Sequence, residues 1–264
     1  MREPSRRYTP SAPPSLLIAG VGGSGTRVFA RLTLALRWHL GSRRNTSEDS
    51  LDVADFDYRF APPFVAGIGD IGEMAREFEE NVLPLLQPGG RWGWKHPPSI
   101  HLVPFYAERL PGLRFLHVVR DGRDIIVGGV GADVHLDRLG PAVLDGDGRS
   151  CGSEETRWAH PDPPLLDGAA RRRRRAAFWA ATNSAAADFG EKVLGERYLR
   201  VRLEDLVDSP AQEAARIAGF LGESVDASAY AGIVRPASLG TWRDLDLDGD
   251  AAAIEPELRR FGYV

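Results

Sequence analysis

Leu16-Leu17-Ile18-Ala19-Gly20-Val21-Gly22-Gly23-Ser24-Gly25-Thr26-Arg27-Val28-Phe29 is the stretch on which the fold turns. Its first four residues are an apolar run short enough for a buried strand. Glycines then crowd positions 20 to 25. From Thr26 onward Val28, Phe29, Leu32, Leu36 and Leu40 recur at helical spacing, and Gly41 supplies a stop. Strand, glycine turn and helix together open a nucleotide-binding α/β unit. Such glycines let backbone N–H groups converge on an anion, and the helix dipole adds to the attraction. A phosphate-bearing ligand is the expectation; a tight turn with no ligand is the plain alternative.

Moving outward, Arg43 to Asp57 reads as a polar, acidic stretch. Asp70 opens a helix, with Glu73 three residues on as its capping-box partner. Arg91 to His96 can be a strand, and Pro97-Pro98-Ser99 starts a helix carrying Ile100, Val103 and Leu110. Phe115 to Val119 is a buried strand, which Arg120-Asp121-Gly122-Arg123-Asp124 turns into a helix. Residues 133–168 are rich in Pro, Gly and Asp and read as a long loop or lid. A helix from Arg171 to Phe189, a strand from Tyr198 to Leu203 and a helix from Pro210 to Leu221 complete the core. Alternating strands and helices give a three-layer α/β/α fold around a central, mostly parallel sheet. Residues 15–264 form one domain in this reading, and residues 1–14 a disordered arm.

The 264 residues are 43% hydrophobic and 27% charged, too apolar for intrinsic disorder. No apolar run is long enough for a transmembrane helix, and the N-terminus lacks the apolar core of a secretory signal. Cys151 is the one cysteine, which excludes a disulfide framework and a multi-thiolate metal site. A cytoplasmic protein is expected. The net charge of −4 argues against nucleic acid as a partner. Of 33 basic residues only Lys95 and Lys192 are lysine, a bias pointing to a GC-rich bacterial genome. A lysine retained against such a bias draws attention to its chemistry. The histidines show no metal-ligand spacing, and no metal is expected. His117, inside an apolar strand, reads as a hydrogen-bonded core residue. Arg171 to Arg175 reads as a solvated helix face, with a cation cluster on the acceptor or phosphate side of the site as the alternative.

Three readings compete for the glycine turn. Gly20 and Gly25 have the spacing of a kinase P-loop, but Thr26-Arg27 stand where Lys and Ser/Thr belong. Gly20, Gly22 and Gly25 satisfy a dinucleotide fingerprint, which also needs a strand ending in an acid about 20 residues on. The candidates, Asp55 and Asp57, lie farther along, so an NAD(P)-dependent oxidoreductase stays as an alternative. The third reading rests on five segments in order. Gly20 to Thr26 resembles the 5′-phosphosulfate loop of sulfotransferases that use 3′-phosphoadenosine 5′-phosphosulfate (PAPS). Phe115 to Asp124 resembles their 3′-phosphate-binding strand and turn, and Trp92-Gly93-Trp94-Lys95-His96-Pro97 the strand carrying their catalytic lysine. Arg202-Leu203-Glu204-Asp205-Leu206 is similar to their R-x-E-D-L segment, and Arg235 to Arg243 to their C-terminal cofactor loop.

That resemblance implies the P-loop-like sulfotransferase fold and sulfuryl transfer from PAPS, leaving 3′,5′-ADP (PAP). The acceptor would be a hydroxyl or amine of a small molecule, carbohydrate or natural product. Gly22, Gly23, Ser24, Gly25, Thr26 and Arg27 would form the 5′ cradle. Arg120, Gly128, Arg235, Ser238, Leu239, Gly240, Trp242 and Arg243 would surround the 3′-phosphate and adenine. Lys95 would be the catalytic cation, and His96 or Asp49 the base. Residues 43–66 and 133–168 would enclose the acceptor. Three positions depart from the pattern: Gly23 replaces a basic residue, Gly128 a serine, and Leu203 an aromatic residue. A repurposed, non-catalytic PAP-binding relative therefore stays open beside the enzyme, as does a homo-oligomer.

Overall fold

A computed structural model describes residues 14–87, 89–128, 130–148, 168–223 and 239–264. β1 (Ser15–Ala19) is the middle strand of a five-stranded sheet, with β2 (His39–Leu40), β3 (Trp92–Lys95), β4 (Leu113–Val119) and β5 (Tyr198–Arg202). The order is β2-β3-β1-β4-β5, and every neighbouring pair is parallel. In chain order the helices are α1 (Thr26–Ala35), α2 (Leu51–Val65), α3 (Ile71–Glu77), α4 (Leu83–Leu86), α5 (Val103–Arg109) and α6 (Gly122–Val127). They continue with α7 (Val130–Asp145), α8 (Gly168–Phe189), α9 (Leu203–Asp208), α10 (Pro210–Leu221), α11 (Asp248–Ala252) and α12 (Glu255–Arg260).

Strand alternation builds the layers. Leu17 and Ala19 of β1 enter a core with Phe56 of α2, Tyr106 of α5, Leu139 of α7 and Trp179 of α8. Leu16 and Ile18 enter a second core with Phe29 of α1, Leu206 of α9 and Ile217 of α10. Every side chain of β1 is therefore buried, as the unbroken apolar run required. The α/β/α architecture expected from the sequence is present.

Three local expectations change. The first helix stops at Ala35 instead of Leu40: Arg37 takes a left-handed φ of 63°, and Leu40 is recruited to pair beside Gly93. The polar stretch from Arg43 conceals the first two turns of α2. Two of its acids are internal: Asp52 accepts from Ser42 and Arg43, and Asp57 is wholly buried. The supposed loop from residue 133 is helical as far as Asp145. Leu136, Leu139 and Ala142 recur at helical spacing on its buried face, despite Gly140 and Pro141. Residues 149–167 of that expected lid, and residues 1–13 of the expected arm, lie outside the described residues. Among the described residues no helix is long and apolar enough to cross a membrane.

Candidate active site

The glycine turn leaves the C-terminal end of β1. Ser24 N donates to Val21 O at 3.0 Å, and Gly23 and Gly25 adopt φ of 89° and 82°, conformations that favour glycine. Gly25 also has no room for a side chain, since an added Cβ would lie 2.8 Å from Leu203 Cδ2. Leu203 thus packs where the resemblance expected an aromatic residue. α1 begins at Thr26 without a side-chain cap. Thr26 and Ser24 are buried, and Ser24 Oγ has no hydrogen-bond partner. A buried, orphaned hydroxyl beside uncapped helix amides fits an anionic ligand. Arg27 and Gly23 face solvent. Gly22 is roofed by α7: an added Cβ would lie 2.2 Å from Gly131 O and 2.5 Å from His135 Nδ1.

Arg120, just past the end of β4, ties this turn to two other segments. Its Nη1 donates to Gly23 O at 3.1 Å, and its guanidinium pairs with Asp124 at 3.1 Å. Asp124 in turn accepts from Gly240 N and Thr241 Oγ1, each at 2.9 Å. Burial raises the Asp124 pKa, but these donors and Arg120 outweigh it and hold the carboxyl below its usual value. The structure therefore gathers residues 20–26, 120–124 and 239–243. Leu239 packs on the α1-side core, Arg243 is exposed, and the Trp242 ring carries Arg123 at 3.8 Å. Arg235 and Ser238 lie outside the described residues. At Gly128 (φ 113°), an added Cβ would sit 2.8 Å from Arg175 Nη1, so the guanidinium occupies the space expected of a serine side chain. Glu204 accepts from Asp121 N at 2.9 Å and from Tyr263 OH at 3.0 Å, locking the β4 turn to the chain's end.

Lys95 ends β3 and pairs in register with Ile18, two residues before Gly20. It is 2% exposed, and its Nζ donates to Ser47 O at 2.9 Å and to Asp49 Oδ1. Burial pushes the ammonium pKa down, and Asp49 opposes that shift. For Asp49 burial raises the pKa, but Lys95 and His96 more than offset it, so the carboxylate stays ionised. Ser50 holds the strand end: its N donates to Lys95 O at 2.7 Å and its Oγ accepts from Lys95 N at 3.0 Å. His96 is extended (φ −152°). Its Nδ1 meets Asp57 of α2, which also accepts from Ser99 Oγ and Tyr106 OH. A carboxylate on Nδ1 fixes the tautomer with its lone pair on Nε2.

Several of these partners escaped the sequence reading. Asp57, Ser50 and His135 sit on helices or turns that were read as a polar stretch or a loop, so no periodicity drew attention to them. His135 stands near His96, and its pKa is pushed down to about 3 by burial first and His96 second. Asp55 and Asp57 lie within a helix rather than at a strand end, so they do not supply the acid of a dinucleotide fold. Of Arg171 to Arg175 only Arg173 is an exposed, solvated side chain; the other four are ion-paired. Arg171 and Arg175 pair with Asp133 of α7, Arg174 with Asp145, and Arg172 with Asp250 of α11. His117 is hydrogen-bonded in the core, to Tyr198 OH at 2.9 Å and Asn183 Oδ1 at 3.0 Å, as expected. Among the described residues no group of His, Cys, Asp or Glu is placed to hold a metal ion.

No protein-family model and no curated protein matches the chain. Solved structures do. A sulfotransferase from Mycobacterium avium superposes with a TM-score of 0.60 at 13% identity, covering 96% of this chain and 78% of that one. The sulfotransferase domain of an olefin synthase from Synechococcus gives 0.51 at 15% identity and covers 98% of both chains. A sulfotransferase from Mycobacterium tuberculosis gives 0.51 at 14% identity, covering 96% of this chain and 78% of that one. Identities this low speak for architecture, and with the sheet order and the gathered loops they establish that this chain has the sulfotransferase fold.

Proposed function

We propose that the protein is a PAPS-dependent sulfotransferase acting on a hydroxyl or amine of a small molecule, carbohydrate or natural product. The observation that carries this reading is Lys95: a buried ammonium at the end of β3, beside the glycine turn that ends β1. PAPS, when bound, supplies an activated sulfuryl group. The amides from Gly23 to Thr26, with the Ser24 and Thr26 hydroxyls, would hold its 5′-phosphate. Arg120 and the loop of Leu239 to Arg243, with Arg235 and Ser238, would serve the 3′-phosphate and adenine. A guanidinium suits that dianion because its donors form a fork. Sulfuryl transfer resembles phosphoryl transfer in needing positioning and charge stabilisation more than covalent chemistry.

Lys95 is the cation that stabilises charge between donor and leaving group. Asp49 keeps it protonated and points it, so Asp49 acts as its counter-ion and His96 is the better base. His96 accepts the acceptor's proton at Nε2, and Asp57 stabilises the imidazolium that results. Calorimetry with PAP tests the binding half of the proposal: saturable binding in the micromolar range is expected, and none at millimolar ligand overturns it. Lys95→Met should then reduce transfer from PAPS more than about 100-fold while changing PAP affinity less than about tenfold.

A further inference from the structure

Arg138 lies on the buried side of α7 and is 4% exposed. Both its Nη1 and its Nη2 are shielded from solvent, and neither has a hydrogen-bond partner. The carboxylates of its own helix are committed elsewhere. Asp137 and Asp133 go to Arg171, Asp133 also to Arg175, and Asp145 to Arg174. An ionised guanidinium buried without a counter-ion is among the costliest arrangements a protein holds, so a charge that stays so placed calls for a ligand.

Its surroundings say which one. The Tyr58 ring covers one face of the guanidinium at 4.1 Å. A ring on the face leaves the in-plane N–H fork for an oxyanion, which that fork grips through two oxygens. The same Tyr58 ring meets the His96 imidazole edge-on at 5.5 Å. His135, one helical turn earlier on α7, stands over Gly22. Arg138 is therefore one ring away from the proposed base.

Resting on the sulfotransferase reading, we propose that Arg138 recognises an anionic group of the acceptor, a carboxylate, sulfate or phosphate held at a distance from the hydroxyl or amine to be sulfated. Arg138 is a specificity residue in this proposal and takes no part in transfer.

Two measurements test it. In ligand-free, low-salt buffer Arg138→Met, which keeps an unbranched side chain over Tyr58 and removes the charge, should melt at or above the wild-type temperature. A melting temperature several degrees lower would show that the guanidinium has partners within the protein, and would overturn the proposal. Calorimetry then compares 3-(4-hydroxyphenyl)propanoate with its neutral amide, on PAP-free and PAP-loaded protein. The acid should bind about tenfold tighter than the amide to the wild type and equally to Arg138→Met. Equal binding to the wild type, no binding of the acid, or a preference that survives in Arg138→Met each overturns the assignment. Inorganic sulfate is the third probe: it should compete with the acid, and if it binds where the acid does not, the site holds a free anion and the acceptor proposal fails. PAP affinity is measured separately on both proteins. Its absence would remove the sulfotransferase reading while these comparisons still decide the role of Arg138.

Discussion

Asp57 holds three donors at once, His96, Ser99 and Tyr106, with no exposure to water. Burial, and then the Asp57 charge, push the Tyr106 pKa well up, so the phenol remains a donor throughout the working range. Asp57→Asn should keep the packing but loosen control of the imidazole tautomer. We expect transfer to fall by about 100-fold or more with PAP affinity unchanged, read by steady-state rates alongside calorimetry. Gly25 gives a stability counterpart. Its left-handed φ and its contact with Leu203 leave no place for a methyl group, so Gly25→Ala should cost about 2 kcal/mol or more in urea unfolding. Gly25 could be read from sequence because glycine advertises unusual backbone geometry. Asp57 could not, because an acid in a polar-looking stretch carries no mark of burial.

Among the elements, β1, β3 and β4 were legible because they are apolar, short and bounded by glycine, proline or charged turns. α2 and α7 were not. Both carry proline, α7 also carries glycine, and their buried polar residues broke the apolar period that sequence reading depends on. These two helices supply Asp57, Tyr58, His135 and Arg138, all within the stretches 43–66 and 133–168 expected to enclose the acceptor, so the sequence pointed to the segments but not to these individual side chains. The arginine run belongs to this scale too, since it clamps α8 to α7. Arg175→Ala should lower stability by about 1–2 kcal/mol and speed amide exchange in α7, whereas the exposed Arg173→Glu should stay within about 0.5 kcal/mol.

At the scale of the molecule, three imidazoles among the described residues shape the response to acid. Burial pushes His101 and His117 down to about 4, and His135 to about 3. His101 borders an apolar cavity of about 260 Å³ between α2, α5 and α8, also lined by Val65, Ile100 and Phe189. In the unfolded chain each titrates near 6.5. Below that pH the unfolded chain takes up protons that the folded one does not, so stability is complete above 6.5 and falls as the pH drops toward 4. Each histidine contributes a slope of about 1.4 kcal/mol per pH unit in that window. The depressed carboxyls Asp49, Asp124 and Asp133 act separately, losing their contribution only as acidity passes below their ordinary value of 3.8. Urea midpoints should decline steadily from pH 6.5 to 4, and His117→Asn should flatten the decline; a level profile in the wild type would contradict this account.

The order of the strands has one more consequence. One lateral margin of the sheet is β2, two residues long, and the other is β5, where Arg200 and Arg202 interrupt the apolar residues. Cross-β growth needs a long, flat, uncharged border to template the next chain. Neither margin provides one, so propagation of fibrils by strand addition is disfavoured at both borders even though every pairing within the sheet is of the slow-forming parallel kind.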